Sequence, residues 1–286
     1  MPAPARKSWL IGIDSDGCVF DSMGVKQIQH FHPLILRFWQ LEALKPEVRA
    51  AAEYINLRSP WRGSNRYVAL LKTFEALHHW ERVRRRGVPL PPLTDLKRWV
   101  ESGSALDLTG LAAAAETSPE LRTVLQWSLA VNQSIQDTMP PIPPFAGVRP
   151  VLEFLQDKAD LAVISLTPLA ALEHEWQQHG LRPLVGVILG QESGSKAAQI
   201  RSAMALGSYA PERVMLLGDA PGDQAAAADC GVLFYPILPG QEEASWQALL
   251  TEALPAFFDG TYAGARQARQ VAAFEALLCE PAPWAV

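Results

Sequence analysis

The sequence predicts an α/β protein: a parallel sheet with helices on both faces, carrying an all-helical insert. Three observations lead there. Five strand-length apolar runs recur, Trp9 to Ile13, Leu161 to Ile164, Val185 to Leu189, Val214 to Leu217 and Val232 to Tyr235, most of them bounded by Gly, Pro or Asp. Helix-patterned segments separate the last four: Leu169 to His179, Ser195 to Leu206 and roughly Gln224 to Ala228. Such alternation requires right-handed crossovers and therefore a parallel sheet. The third observation is the long interval between the first strand and the second, which has helical patterning throughout, as in "SNRYVALLKTFEALHHWERV" and "SPELRTVLQWSLAVNQSIQD".

Each element has a local reason. The first strand is greasy up to Ile13 and stops at Asp14. In the insert, Ser64 and Ser118 are placed to cap helices. The stretch "MPPIPPFAGVRP" closes it, with prolines that stiffen the chain without forming structure. Hinges are expected near Ser22–Val25 and Met139–Gly147, with a core of residues 1–23 and 145–286 around a helical domain of 24–144. Gln241 to Leu278 reads as two more helices on the sheet layer.

Composition narrows the function classes. The 286 residues are 49% hydrophobic and 19% charged, a globular balance with room for one or two cores. A net charge of -5 argues against a chain that lives on nucleic acid or anionic lipid. Three cysteines, Cys18, Cys230 and Cys279, lie far apart without CxxC spacing, which suggests a reducing compartment and neither a disulfide framework nor a thiolate metal site. The N-terminal apolar run is too short for a leader or a membrane span. The expectation is a cytoplasmic protein; nothing in the sequence reports oligomeric state. The six histidines show no metal-ligand pairing, and "RVRRRG", Arg82 to Gly87, reads as a solvated helix end.

Chemistry concentrates at strand ends. "WLIGIDSDGCVFDSMG" sets Asp14, Asp16 and Asp21 after the first strand, and "VMLLGDAPGDQAAAADCGV" sets Asp219 and Asp223 after the fourth. Turn and capping chemistry would explain either cluster alone. Both together, at the carboxyl ends of strands where open parallel sheets bind ligands, suggest convergence if strands one and four are central neighbours. Three carboxylates at one point want a hard divalent cation, and magnesium suits a site with few carboxylates and open positions. Ser165 and Thr167, after the second strand, bring hydroxyls to the same edge, Thr167 as a substrate-binding donor. Lys196 opens a helix, where the dipole disfavours a cation, so it is expected to neutralise a phosphate oxygen or hold a carboxylate ionised.

In order and type, "IDSDGCVFDS", "VISLT", Lys196 and "LLGDAPGD" resemble the four motifs of the haloacid dehalogenase-like superfamily, with the helical insert as the cap many members carry between the first two motifs. The "GDAPGD" form is similar to phosphatase-like members. Cys18 stands where the family usually has Thr or Val. The resemblance implies a Rossmann-like core and a magnesium-dependent phosphatase acting on a small phosphorylated metabolite. Asp14 would be the nucleophile that becomes an aspartyl-phosphate, and Asp16 the general acid and base. Magnesium would be held by Asp14, Asp219 and the Asp16 backbone carbonyl, with Asp223 orienting metal-bound water or joining the shell. Ser165 and Lys196 would bind phosphoryl oxygens. Asp21 is expected as an N-cap or hinge residue. The presence of Asp16 resembles phosphatases and phosphomutases rather than carbon–halogen-cleaving members. A phosphomutase shares every motif, and a non-catalytic phosphate-binding scaffold is the third class. In the cap, Arg58, Arg62 and Arg66 around Trp61 either clamp the non-reacting part of the substrate or sit in a solvated loop.

Overall fold

The computed structural model describes residues 7–279 and 281–284. Its sheet has five parallel strands in the order β3-β2-β1-β4-β5, with β1 Leu10–Ile13, β2 Asp160–Ile164, β3 Val187–Leu189, β4 Val214–Gly218 and β5 Leu233–Pro236. The first strand therefore lies at the centre and β4 beside it. Register sets Gly12 opposite Ala162 on one side and Leu216 on the other. A β-carbon on Gly12 would lie 2.8 Å from Ile164 Cδ1, so glycine lets the covering side chains close over the middle strand. Strands β1 and β4 are buried along their whole length, which accounts for their unbroken apolar runs.

The edge at β5 is closed by side chains. Gln267 Oε1 accepts from Phe234 N at 3.1 Å, and Tyr262 donates its hydroxyl to Phe234 O at 2.9 Å. Both polar groups of Phe234 are thereby withdrawn from further strand pairing. Helices Leu169–Gln178, Lys196–Gly207 and Pro221–Asp229 follow β2, β3 and β4 respectively. The C-terminal region runs from Glu242–Ala248 through a π-helical turn, Leu249–Ala253, into Leu254–Phe258, and then forms Ala265–Leu278.

The chain divides into two compact units and passes between them after Ser22, Pro140 and Leu277. The sheet unit resumes a few residues before the expected position, because Pro144 bridges Phe20 and Phe145 N donates to Val19 O at 2.9 Å. The prolines at 143–144 thus tie the returning chain to the loop after β1. The described residues after Leu277 belong to the helical unit, which nothing in the sequence pattern signalled.

The helical unit has its own core, with Phe74, Leu77, Val124, Trp127 and Val131 among its buried side chains. Ser118 caps Pro119–Thr138 as expected, accepting from Leu121 N at 3.2 Å. The other cap shifts by one: Asn65, not Ser64, accepts from Tyr67 N at 3.0 Å to start Arg66–His79. Asn and Ser are near equivalent in this role, so the neighbouring position can take it. "RVRRRG" is also more than a solvated helix end. Arg82 Nε and Arg86 Nη1 reach the buried Glu47 carboxylate at 2.9 and 3.1 Å, tying Glu81–Arg85 to helix Lys45–Glu53. Trp284 stacks edge-on against Tyr54, 5.1 Å between ring centroids, and lies 5.9 Å from Trp80. Among the described residues, no helix is long and apolar enough to cross a membrane.

Candidate active site

Asp14 leaves β1 still on the ladder, its N–H donating to Leu217 O of β4 at 3.0 Å. The chain then turns tightly: Ser15 O accepts from Val19 N and Phe20 N, and Gly17 N donates to Phe20 O at 2.8 Å. Gly17 sits at φ +80°, a conformation an L side chain rarely adopts. Two buried indoles brace this turn. Trp176 Nε1 donates to Ser15 Oγ at 3.0 Å, and Trp246 Nε1 donates to Cys18 O at 2.9 Å. Asp14 and Asp16 are therefore carried on a loop fixed by helices Leu169–Gln178 and Glu242–Ala248 as well as by the sheet.

At the end of β4, Gly218 makes room for Asp223 to fold back. A β-carbon there would lie 2.4 Å from Asp223 Cβ and Cγ. Asp223 serves two purposes at once: its Oδ2 accepts from Ala220 N at 3.1 Å, capping the helix that begins at Pro221, and its Oδ1 pairs with Lys196. The capping reading of this aspartate is realised, and the same carboxylate also meets Lys196. Lys196 Nζ also lies 2.8 Å from Asp14 Oδ2. That pair explains the lysine in a helix's first turn, where the dipole alone would disfavour it.

Asp14, Asp219 and Asp223 are all buried, and one oxygen from each lies within 4.8 Å of the others. Ionised, they carry three negative charges against the single positive charge of Lys196. Burial pushes Asp14 and Asp223 above the usual carboxylate range, more than Lys196 pulls them down. For Lys196, burial works against the charged form, but Asp14 and Asp223 prevail and hold it protonated, above its ordinary value. With all three carboxylates ionised, Lys196 would leave two negative charges uncompensated, and burial resists that state in the absence of a further cation. An all-oxygen donor set of that charge fits a hard divalent cation held by Asp14, Asp219 and Asp223.

Asp16 is turned to a different purpose. Ser22 donates its hydroxyl to Asp16 Oδ1, and Thr167 donates to Asp16 Oδ2 at 2.7 Å. Its carboxylate is not one of the three in the acidic cluster. Ser165 is buried, and its Oγ accepts from Thr167 N at 3.2 Å. The structure therefore brings Asp14, Lys196, Asp219 and Asp223 into one cluster and joins Asp16 to Thr167, with Ser165 beside them. Asp21 is exposed, in the turn just before Ser22–Val25.

The three arginines belong to the helical unit. Arg58 is exposed at the end of a π-helical turn, Tyr54–Arg58. Arg62 is buried and donates to Leu57 O at 3.0 Å. Arg66 donates to Asn132 Oδ1 at 2.7 Å and lies over the Phe31 ring, linking helices Arg66–His79 and Pro119–Thr138.

Sequence reasoning passed over several contributors. Ser22 lies one residue beyond Asp21, and only the fold brings it to Asp16. Gln199, three residues after Lys196, accepts from Ser165 N at 3.0 Å and donates to Ser165 O, Gly190 O and Gly194 O, stitching the ends of β2 and β3 together. A polar residue one turn from a functional lysine was the available signal. Trp176 and Trp246 gave none, since buried tryptophans are ordinary core residues.

No protein-family model matches the sequence, and neither does any curated protein. Solved structures do. A Bacteroides fragilis protein named as a haloacid dehalogenase-like hydrolase is 14% identical, with 84% of this chain and 93% of that one covered at a TM-score of 0.53. A Streptococcus pneumoniae haloacid dehalogenase-like family protein is 15% identical over 84% of this chain and 90% of its own, at 0.42. A Haemophilus somnus 129pt protein named as a predicted phosphoglycolate phosphatase is 15% identical over 82% and 86%, at 0.44. Five parallel strands with β1 central, acidic clusters at the ends of β1 and β4, and the overlap with the Bacteroides fragilis protein agree on one architecture. The fold of this chain is therefore similar to that of the Bacteroides fragilis haloacid dehalogenase-like hydrolase.

Proposed function

We propose that this protein is a divalent-cation-dependent phosphatase of the haloacid dehalogenase-like kind, hydrolysing a small phosphorylated metabolite through an aspartyl-phosphate on Asp14. One observation carries this: three buried carboxylates and one ammonium converge, while Asp16, two residues from Asp14, is held outside that cluster by two hydroxyls. A carboxylate that reacts and a carboxylate that handles protons need different surroundings, and these have them.

In this proposal Asp14 attacks phosphorus, forming a carboxyl–phosphorus bond as the bond to the leaving oxygen breaks. Asp16 gives its proton to that oxygen. It then takes a proton from water as the water attacks phosphorus and releases Asp14. Lys196 stays paired with Asp14 and offsets charge spreading over the phosphoryl oxygens, and Ser165 contributes a hydroxyl at the same edge. A divalent cation, magnesium being the candidate, would be held by Asp14, Asp219 and Asp223, with the Asp16 carbonyl as a further ligand, and would neutralise phosphoryl charge when bound. Substrate choice is assigned to the helical unit. There Arg58 is the leading candidate, because Arg62 and Arg66 already bind groups of their own unit.

Release of phosphate from p-nitrophenyl phosphate, with magnesium and with chelator, tests the proposal. Asp14→Asn should abolish turnover while circular dichroism stays unchanged, since an amide is a poor nucleophile. Undiminished activity in a sample shown by mass spectrometry to be free of deamidation would refute it.

A further inference from the structure

We infer that Thr167 is a positioning residue for the proton-transferring carboxylate, and not a donor to the transferring phosphoryl group. This rests on the phosphatase proposal above and names a part for a side chain that sequence alone would assign to substrate.

A threonine hydroxyl has one proton to give, and an oxygen of Asp16 can accept it whether that carboxylate is ionised or carries on its other oxygen the proton meant for the leaving group. The 2.7 Å contact from Thr167 Oγ1 to Asp16 Oδ2 therefore commits that proton to Asp16. The two residues are 151 positions apart, so the contact joins the loop after β1 to the loop after β2. Thr167 itself is held from both sides of its backbone. Its N–H donates to Ser165 Oγ at 3.2 Å, and its carbonyl accepts from Gln191 N at 3.1 Å. Pro168 follows with φ fixed near −54°. The next residue, Leu169, opens a helix whose first N–H is bound by the Glu192 carboxylate at 3.0 Å. A hydroxyl mounted this rigidly sets the direction of whatever it binds.

With Ser22 on Oδ1 and Thr167 on Oδ2, the plane of the Asp16 carboxylate is defined from two elements. Removing the Thr167 donor frees one oxygen while leaving Asp16 in place. Proton delivery to the leaving oxygen is then mis-aimed, and the damage depends on how much protonation that oxygen needs. A nitrophenolate leaves with little help, whereas an alkoxide needs a full proton. If Thr167 bound phosphoryl oxygens instead, every substrate would suffer equally, because all transfer the same group.

The experiment compares Thr167→Val, which keeps the shape without the hydroxyl, with Thr167→Ser, which restores it. kcat/KM is measured over a series from p-nitrophenyl phosphate to alkyl phosphates, together with inhibition by inorganic phosphate. The expected result is a steeper dependence on leaving-group basicity in Thr167→Val, with about tenfold more loss on alkyl than on nitrophenyl esters. Thr167→Ser should return to the wild-type slope, and inorganic phosphate should inhibit all three proteins alike. Uniform losses across the series, or phosphate inhibition weakened in Thr167→Val alone, would overturn the inference. Asp14→Asn is run beside them. If it is inactive, those outcomes speak against Thr167 alone; if it retains activity, the phosphatase proposal fails and this inference with it.

Discussion

His32 should make the helical unit lose stability in mild acid. It opens helix His32–Trp39 with its imidazole buried, and neither ring nitrogen has a hydrogen-bond partner among the described residues. Burial pushes its pKa down to about 4; Glu53 opposes that shift and Arg49 reinforces it, both on the neighbouring helix Lys45–Glu53. A histidine in the unfolded chain titrates near 6.5. Between those values the unfolded state binds a proton that the folded state refuses, so stability falls as pH drops from about 6.5 towards 4. The full shift corresponds to about 3 kcal/mol, and the part expressed between pH 7.5 and pH 5 to about 2 kcal/mol.

Other groups titrate in the same range, and burial of Asp14 acts in the opposite sense. The comparison must therefore be between the wild type and His32→Leu, in which every other group is shared. Urea unfolding of both proteins at the two pH values gives the quantity needed. From pH 7.5 to pH 5 the variant should gain about 2 kcal/mol relative to the wild type, whatever their difference at the start. In parallel, the His32 ring protons followed by NMR should show no titration above about pH 5. A stability difference independent of pH, or an imidazole that titrates near 6.5, would refute the buried neutral state.

Two further predictions address the site and the chain end. Gly218→Ala should displace Asp223, because the added carbon would meet it at 2.4 Å, and divalent-cation affinity read by calorimetry should fall roughly tenfold or more; unchanged affinity would separate Asp223 from the cation. Trp284→Ala removes two ring contacts and should destabilise the helical unit by about 1–3 kcal/mol, with faster amide exchange around Tyr54 and Trp80; unaltered exchange there would mean the C-terminal segment adds nothing to that unit.

The parts legible in the sequence were those dictated by local chemistry. Apolar runs that stop at an acid located β1 and β4, and the misfit of a lysine in a helix's first turn singled out Lys196. The five strands emerged within one or two residues of expectation, as usual for ends that fray. What could not be read were contacts that join distant positions. Ser22, Gln199 and Thr167 gain their importance from side chains elsewhere in the fold. Arg82 and Arg86 looked solvated because Glu47, which binds them, lies on another helix. The membership of the C-terminal segment depends on Trp284 meeting Tyr54 and Trp80, and no periodicity encodes that.

Cys18 stands where the haloacid dehalogenase-like pattern that this sequence resembles usually has Thr or Val. The side chain is fully buried, two residues beyond Asp16, and its carbonyl is occupied by Trp246. Burial is the main cause that drives its thiol well above the ordinary range, and Asp219, Asp14 and Asp223 add to it. A thiol so placed stays protonated, and nucleophilic reactivity belongs to the thiolate. A threonine in the same place would bring a hydroxyl that must find an acceptor or lose stabilisation, whereas a neutral thiol behaves as a small apolar group. Burial, reinforced by the acids of this corner, therefore keeps its cysteine inert. Substitution at Cys18 is expected to act on packing beneath the turn after β1, apart from the chemistry proposed for Asp14 and Asp16.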